Sequence, residues 1–416
     1  MTEELKSLSV LVGICPSTSA LDECERSLDE LERLLDTAGG IALAKVIQVK
    51  ETFDPRTCIG SGKVEEIRAL CENEKAELVV FDFELTPAQI RNLEKDLDGP
   101  AVIDRSMLIL DIFAKHAVSG EGKLQVELAQ LKYSAPRLIG KGTELSRQGG
   151  GIGSRGPGES KLETDRRHLK ERVVALEHRL AELERNRAVM RASRDRSGIP
   201  KIAVVGYTNA GKSTLLNTLT GAGVLSENKL FATLDPTTRK MELPSGECVL
   251  ITDTVGFIRK LPHHLVKAFK STLDEVKYAD ILLVVSDASD PELSEHLQVT
   301  REIAEQLGAA DKPVIYAYNK CDILDAVPTD GAEDSVFISA LDGFGIEALL
   351  SLIEDVLQRT KKKSTLLIPY AEQSVLSAIY NSYSVESVDY EENGIRAVAV
   401  LDSKGLGMYG KYLIDN

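Results

Sequence analysis

The spacing of apolar residues changes character three times along the chain. Through residues 1–104, short β-branched runs at 10–14, 41–49, 78–83 and 101–103 alternate with helix-like stretches at 21–35, 64–71 and 87–97. Strands separated by helices predict a small α/β domain with at least some parallel pairing. From 105 to 197 the period lengthens. Leu110, Phe113, Ala117, Leu124, Leu128 and Leu131 form one heptad-like seam, and Leu162, Leu169, Val173, Leu176, Leu180 and Leu183 form a second. Two seams on charged helices, joined by one loop, predict an antiparallel helical hairpin. Ser160 and Glu163 fit a capping box after Gly156-Pro157-Gly158. A helix from there to about 192 would extend on the order of 45–50 Å at ~1.5 Å per residue. Residues 198–360 return to strand–helix alternation, as in a doubly wound, mostly parallel α/β sheet. In 361–416 a strand at 366–368, a helix at 371–383 and two strands flanking the turn Glu392-Asn393-Gly394 predict a small α+β domain.

The chain has 416 residues, 43% hydrophobic and 28% charged, which fits several globular domains rather than a disordered chain. No apolar run approaches bilayer length, and the N-terminus is a poor secretory signal, so a cytoplasmic protein without a membrane span is expected. A monomer is expected as well. Cys15, Cys24, Cys58, Cys71, Cys248 and Cys321 show neither C-x-x-C pairing nor clustering with histidine, so reduced thiols are expected.

A net charge of −15 argues against non-specific coating of nucleic acid, but residues 104–196 carry 19 Lys and Arg against 13 Asp and Glu. Within the hairpin, residues 137–161 hold eight glycines with Arg137, Lys141, Arg147, Arg155 and Lys161 against only Glu144 and Glu159. Glycine content alone fits a linker. Five cations on a long two-helix mount favour contact with a nucleic-acid backbone, the glycines permitting close approach. Stacking aromatics are absent from the tip, so base reading is not supported.

The richest chemistry lies in the third region. An apolar strand at 201–205 runs into Gly206-Tyr207-Thr208-Asn209-Ala210-Gly211-Lys212-Ser213, followed by a helical stretch. This is G-x-x-x-x-G-K-S in its required context: backbone N–H groups wrap phosphates, Lys212 reaches the β- and γ-phosphates, and Ser213 binds Mg²⁺. A strand at 249–251 ends in Asp253-Thr254-Val255-Gly256, where Asp253 can hold the Mg²⁺ shell through water and Gly256 can approach the γ-phosphate. Another at 314–318 delivers Asn319-Lys320-Cys321-Asp322. The Asp322 carboxylate can accept both the ring N–H and the amino hydrogens of guanine, a donor pair adenine lacks. Lys320 would lie on the purine, Asn319 would tie the loop down, and the backbone of Ser339-Ala340-Leu341 could reach guanine O6. GTP or GDP is therefore the expected ligand.

Phe231-Ala232-Thr233-Leu234-Asp235 occupies the place of a mobile switch whose threonine closes on Mg²⁺ and γ-phosphate. On spacing alone Thr233, Thr237 and Thr238 compete. Phe257 follows Gly256 where many GTPases carry a water-orienting glutamine, which predicts slow intrinsic turnover and a stimulating partner. Asn209 could face the phosphates and hold K⁺, or it could simply brace the loop. Ile59-Gly60-Ser61-Gly62-Lys63 is either a phosphate loop or a turn opening a helix, and Thr57 stands where a full P-loop needs glycine.

Together these stretches resemble the HflX family of ribosome-associated P-loop GTPases. The matching segments are 206–213, Phe-Ala-Thr-Leu-Asp-Pro-Thr-Thr at 231–238, Asp-Thr-Val-Gly-Phe at 253–257, 59–63 and Gly-Pro-Gly-Glu-Ser at 156–160. The resemblance implies that Thr233 is the Mg²⁺ threonine; with it, Lys212, Gly256 and Asn209 are the residues expected to serve hydrolysis. It also implies binding to the large ribosomal subunit, with the helical arm reaching toward the peptidyl-transferase centre; members of the family can split stalled or idle ribosomes into subunits. Leu341 departs from a common lysine. A GTP-regulated RNA-remodelling protein, leaning on the N-terminal domain and Gly60 to Lys63, is the alternative.

Overall fold

A computed structural model describes residues 7–414 apart from 148–156, 197, 222–229, 232–233, 261, 263–264, 266–268 and 329–331; the side chains of 137–147, 157–165, 188, 190–196, 270–272 and 403–404 are also outside the description. The chain divides into two compact units. The first comprises residues 1–183 together with 227–235 and 258–272, and the second holds the remainder.

In the first unit, β1 (Leu8–Cys15), β2 (Ile41–Val49), β3 (Leu78–Phe81) and β4 (Ala101–Asp104) form a parallel sheet in the order β2-β1-β3-β4. Adjacent residues Val10, Leu11 and Val12 are all buried, so both faces are covered, as a parallel sheet requires. Helix α1 (Leu21–Ala38) buries Leu28, Leu31, Leu34 and Leu35 at helical spacing. Helices α2 (Ser61–Glu74) and α3 (Pro87–Leu97) add Val64, Ile67, Ile90 and Leu93 to the sheet's core. At α3 the Thr86–Gln89 capping box and Pro87 satisfy and pre-shape the first turn.

The seam expected to run unbroken from Leu110 to Leu131 is split. Helix α4 (Arg105–His116), capped by the Asp104 carboxylate, buries Leu108, Ile109, Leu110, Ile112 and Phe113. Ala117 is extended, at φ −67° and ψ 107°, and ends it. Helix α5 (Gly120–Arg147) then begins anew and contains Pro136. Helix α6 (Pro157–Arg196) starts at its proline, whose fixed φ and missing N–H suit a first turn, so Ser160 is not its N-cap. Arg172 pairs with Glu127 at 2.6 Å and Lys132 with Glu177 at 2.7 Å, bridging the two helices. The tip is thus more helical than expected. Arg137, Lys141 and Arg147 lie on α5 and Lys161 on α6, with their side chains outside the description, as is all of Arg155.

The second unit carries β5 (Lys201–Val205), β6 (Thr237–Glu242), β7 (Cys248–Asp253), β8 (Ile281–Asp287), β9 (Val314–Asn319) and β10 (Ser335–Phe337). Their order is β10-β9-β8-β5-β7-β6, parallel except for the antiparallel edge pair β6–β7. Among the described residues this region carries α7 (Lys212–Thr220), α8 (Lys270–Tyr278, its start in the first unit), α9 (Leu293–Gln306) and α10 (Ile346–Thr360). Central β8 is buried from Ile281 to Ser286, and α7 and α10 cover the core formed with β5 and β9. Strands β11 (Lys362–Ile368), β12 (Ser384–Glu391) and β13 (Gly394–Leu401) form an antiparallel sheet backed by α11 (Gln373–Ser382). A helix not foreseen from the sequence, α12 (Ser403–Tyr409), follows; Asp402 caps it by accepting from the Gly405 N–H at 2.6 Å.

Candidate functional site

Strand β5 ends where Gly206 turns to φ 148°; a Cβ there would lie 2.1 Å from the Val285 carbonyl oxygen of β8. Only glycine lets the loop leave between these strands. Asn209 adopts the left-handed region at φ 61°, and Gly211, at φ 93°, caps α7 with no room for a Cβ beside the Asn319 amide 2.2 Å away. The loop therefore arrives at a helix N-terminus, where unpaired N–H groups and the dipole favour an anion. The Thr208 N–H donates to the Phe257 carbonyl at 2.8 Å and the Phe257 N–H to Gly206 at 3.0 Å, zipping the loop to the segment after β7. Between them Gly256 packs so closely that a Cβ would meet Thr208 at 2.8 Å.

Lys212 is buried and donates to the Tyr207 carbonyl at 2.7 Å. Burial lowers its pKa from 10.5 to about 8, against the opposing pull of Asp253. The Ser213 hydroxyl donates to the fully buried Asp253 carboxylate at 2.6 Å, while the Thr254 hydroxyl donates to the Val204 carbonyl at 2.7 Å. A hydroxyl and a carboxylate at a strand end, beside a phosphate-type loop, are the hard oxygen donors that suit Mg²⁺.

The base-side residues converge through Asn319. Its amide donates to the Ala210 carbonyl at 2.9 Å, and its amide oxygen accepts the Ala340 N–H at 2.9 Å, so one side chain binds both loops. Lys320 is left-handed at φ 65° and pairs with Asp287 at 2.6 Å; Cys321 is buried, its thiol pushed up by desolvation. Asp322 is exposed at the start of a short turn, Ser339 is buried and accepts the Asp342 N–H at 3.2 Å, and Leu341 is 77% exposed. Two contacts had no sequence signal. The Thr218 hydroxyl donates to the Ala340 carbonyl at 2.6 Å, and Tyr207 stacks on His296 at 3.7 Å.

The switch residues behave differently. Ala232 and Thr233 lie outside the described residues. Phe231 and Leu234 are buried within the first unit, and the Asp235 carboxylate bonds to the residues preceding α5. Their side chains face protein within that unit. The cause is tertiary: an aromatic partner, Phe113, and a helix N-terminus stand ready. The Gly60 N–H donates to Gln48 and Lys63 pairs with Glu66, so the 59–63 stretch opens α2 as an ordinary helix start.

Family models match three consecutive stretches: a GTP-binding GTPase N-terminal region over 25–114, a GTP-binding GTPase middle region over 116–194, and a 50S ribosome-binding GTPase domain over 201–320. The protein named GTPase HflX from Caldanaerobacter subterraneus is 50% identical, covering 95% of this chain and 91% of its own. Its namesake in Lacrimispora saccharolytica is 49% identical over 97% and 95%. That of Escherichia coli is 43% identical over 90% and 89%. Among solved structures, a GTP-binding protein of Sulfolobus solfataricus in complex with GDP is 26% identical, with a TM-score of 0.44 over 85% of this chain and 99% of that one.

Proposed function

Since the chain belongs to the HflX family of GTPases, we propose that its hydrolysis serves the large ribosomal subunit, in splitting or rescuing ribosomes. The protein is a GTPase that binds GTP and GDP. The ribosomal role is carried by the match of 201–320 to the ribosome-binding GTPase domain. Among the described residues no helix is long and apolar enough to cross a membrane; we read the protein as a cytoplasmic monomer. The arm's cations Arg137, Lys141, Arg147, Arg155 and Lys161 would meet ribosomal RNA phosphates.

In this reading residues 206–213 cradle the phosphates and Lys212 supplies the buried positive charge. Asp322 selects guanine, helped by Lys320 and the Ser339 to Leu341 backbone. Ser213, Thr233 and, through water, Asp253 would hold Mg²⁺, which would neutralise charge developing on the β- and γ-phosphate oxygens. Asn209, left-handed at the loop's crest, supports a K⁺ ion in the same role. Phe257 is buried, so water positioning falls to the backbone near Gly256 and to the partner.

The test is sedimentation of ribosomes with the full chain under GTP, GDP and a non-hydrolysable analogue. Co-sedimentation with the 50S particle in the analogue state, and ribosome-stimulated hydrolysis, are expected. Fast hydrolysis indifferent to ribosomes would refute the reading. Tight structured-RNA binding that survives deletion of 137–161 would instead favour the RNA-remodelling alternative.

A further inference from the structure

One turn into α9 a buried histidine stands against the loop at 206–213, and all the residues concerned belong to the second unit. His296 is 6% exposed, and its ring stacks face to face on Tyr207, the centroids 3.7 Å apart and the planes 14° from parallel. Each ring nitrogen faces a carboxylate, Nδ1 at 3.6 Å from Asp290 and Nε2 at 3.8 Å from Glu292. The turn that starts the helix fixes the backbone of both acids. Asp290 Oδ1 accepts the Glu292 N–H at 2.9 Å, its carbonyl accepts the Leu293 N–H at 3.1 Å, and the Glu292 carbonyl accepts the His296 N–H at 3.0 Å. An imidazolium carries an N–H toward each carboxylate, whereas a neutral imidazole carries only one. Two carboxylates in a largely buried setting call for that charge, and a cation lying over the negative face of a tyrosine ring is attracted to it. Asp290, Glu292 and His296 thus build a charged plate against Tyr207.

Tyr207 is the residue through which such a plate can act on nucleotide. Gly206 brings no side chain to the loop's first turn, so the buried Tyr207 ring is its anchor. The Tyr207 backbone forms a bridge with Phe257, and its carbonyl accepts the Lys212 ammonium at 2.7 Å. We propose that His296 is a positioning residue for the phosphate loop: as an imidazolium gripped by Asp290 and Glu292, it fixes the Tyr207 ring and thereby the carbonyl on which Lys212 rests. The inference rests on the reading of 206–213 as that loop. Glycines at 206 and 211 give the backbone little preference of its own, so the hold must come from side chains. A loop held in its binding form gives nucleotide its full affinity. One that spends time in other forms loses affinity by the fraction of time it is absent.

The test is a double-mutant cycle on the full chain, read as GDP affinity by calorimetric titration with Mg²⁺ at one mildly acidic pH. Urea unfolding of each variant reports its fold. His296→Gln should weaken GDP binding about tenfold, the scale of one buried aromatic or cation–π stack. In a Tyr207→Leu background the same change should cost nothing further, because the plate has no ring left to hold. His296→Arg should restore most of the affinity, since a guanidinium stays charged, pairs with carboxylates and stacks on aromatic faces. Should His296→Gln fold poorly, Asp290→Asn carries the test. It should weaken binding about threefold, the scale of one ion pair, and have no effect in Tyr207→Leu. Wild-type affinity in His296→Gln, with Lys212→Ala still weakened, would overturn the inference and leave the phosphate-loop reading standing. A loss of equal size in the Tyr207→Leu background, or no rescue by a folded His296→Arg, would overturn it as well. Wild-type affinity in Lys212→Ala would overturn the loop reading and the inference together.

Discussion

In the proposed role Lys212 must be charged to meet phosphate, yet its surroundings oppose that charge. Its pKa is about 8 against an ordinary 10.5, with burial as the main cause and Asp253 as the partial offset. That difference places a penalty of about 3 kcal/mol on the ammonium of the empty site. Bound β-phosphate would return negative charge and lift the pKa, so nucleotide binding should draw a proton from solution wherever the empty site has lost it. Below about pH 8 Lys212 is already protonated and affinity should not depend on it. Above that, each pH unit should weaken binding up to tenfold, reaching roughly 30-fold, or about 2 kcal/mol, near pH 9.5. Calorimetric titration with GDP and Mg²⁺, in buffers of different ionisation enthalpy between about pH 6.5 and pH 9.5, measures affinity and proton uptake together. Lys212→Arg provides the control, because arginine keeps its charge throughout. Binding that takes up no proton near pH 9, or uptake that persists in Lys212→Arg, would refute the argument.

Three further outcomes are expected. Asn319→Ala removes two buried hydrogen bonds joining the phosphate and base loops, and should weaken GDP binding by about 2–3 kcal/mol; fluorescence titration showing wild-type affinity would contradict this. Arg105, only 2% exposed, donates to Glu30 and Asp82 and to the Arg259 carbonyl, while Lys260 also donates to Asp82 at 2.7 Å. Arg105→Ala would strand buried carboxylates and destabilise the first unit by about 3–5 kcal/mol, read from urea unfolding; a loss under about 1 kcal/mol would show the network to be dispensable. If Asn209 holds K⁺, hydrolysis should rise when K⁺ replaces Na⁺, and Asn209→Ala should erase the difference; equal rates in both salts would reject the cation.

Where the sequence could be read, the reason was local. The loops at 206–213, 253–256 and 319–322 depend on backbone conformation and on neighbours a few residues away, and both leave a mark in residue type. Glycine at 206 and 211 is required by positive φ and by contact with Val285 and Asn319. The break between α4 and α5 is marked by Ser119-Gly120, but Ala117 and Leu124 keep the heptad-like spacing across it and so masked the signal. Likewise Gly140 and Gly142 signalled a loop, whereas the helix runs through them to Arg147; a penalty of about 1 kcal/mol each is small enough for the rest of a long helix to override. The partners of Asp235, Val118 and Ser119, lie more than a hundred positions away, so these contacts could not be read from spacing. Side chains whose purpose is set by tertiary neighbours are invisible to spacing.

Phe257 carries a consequence for how this enzyme could ever be altered. Its backbone is paired to the phosphate loop on both sides, and its ring is 1% exposed. The side chain is therefore part of the hydrophobic interior. Phe257→Gln would not place an amide beside the attacking water; it would leave an amide stranded among apolar neighbours and loosen the loop it was meant to assist. An autonomous fast hydrolase is thus not one substitution away. On the proposed reading, dependence on an outside activator would be built into the packing, and a chain that escaped it would first have to rebuild its core.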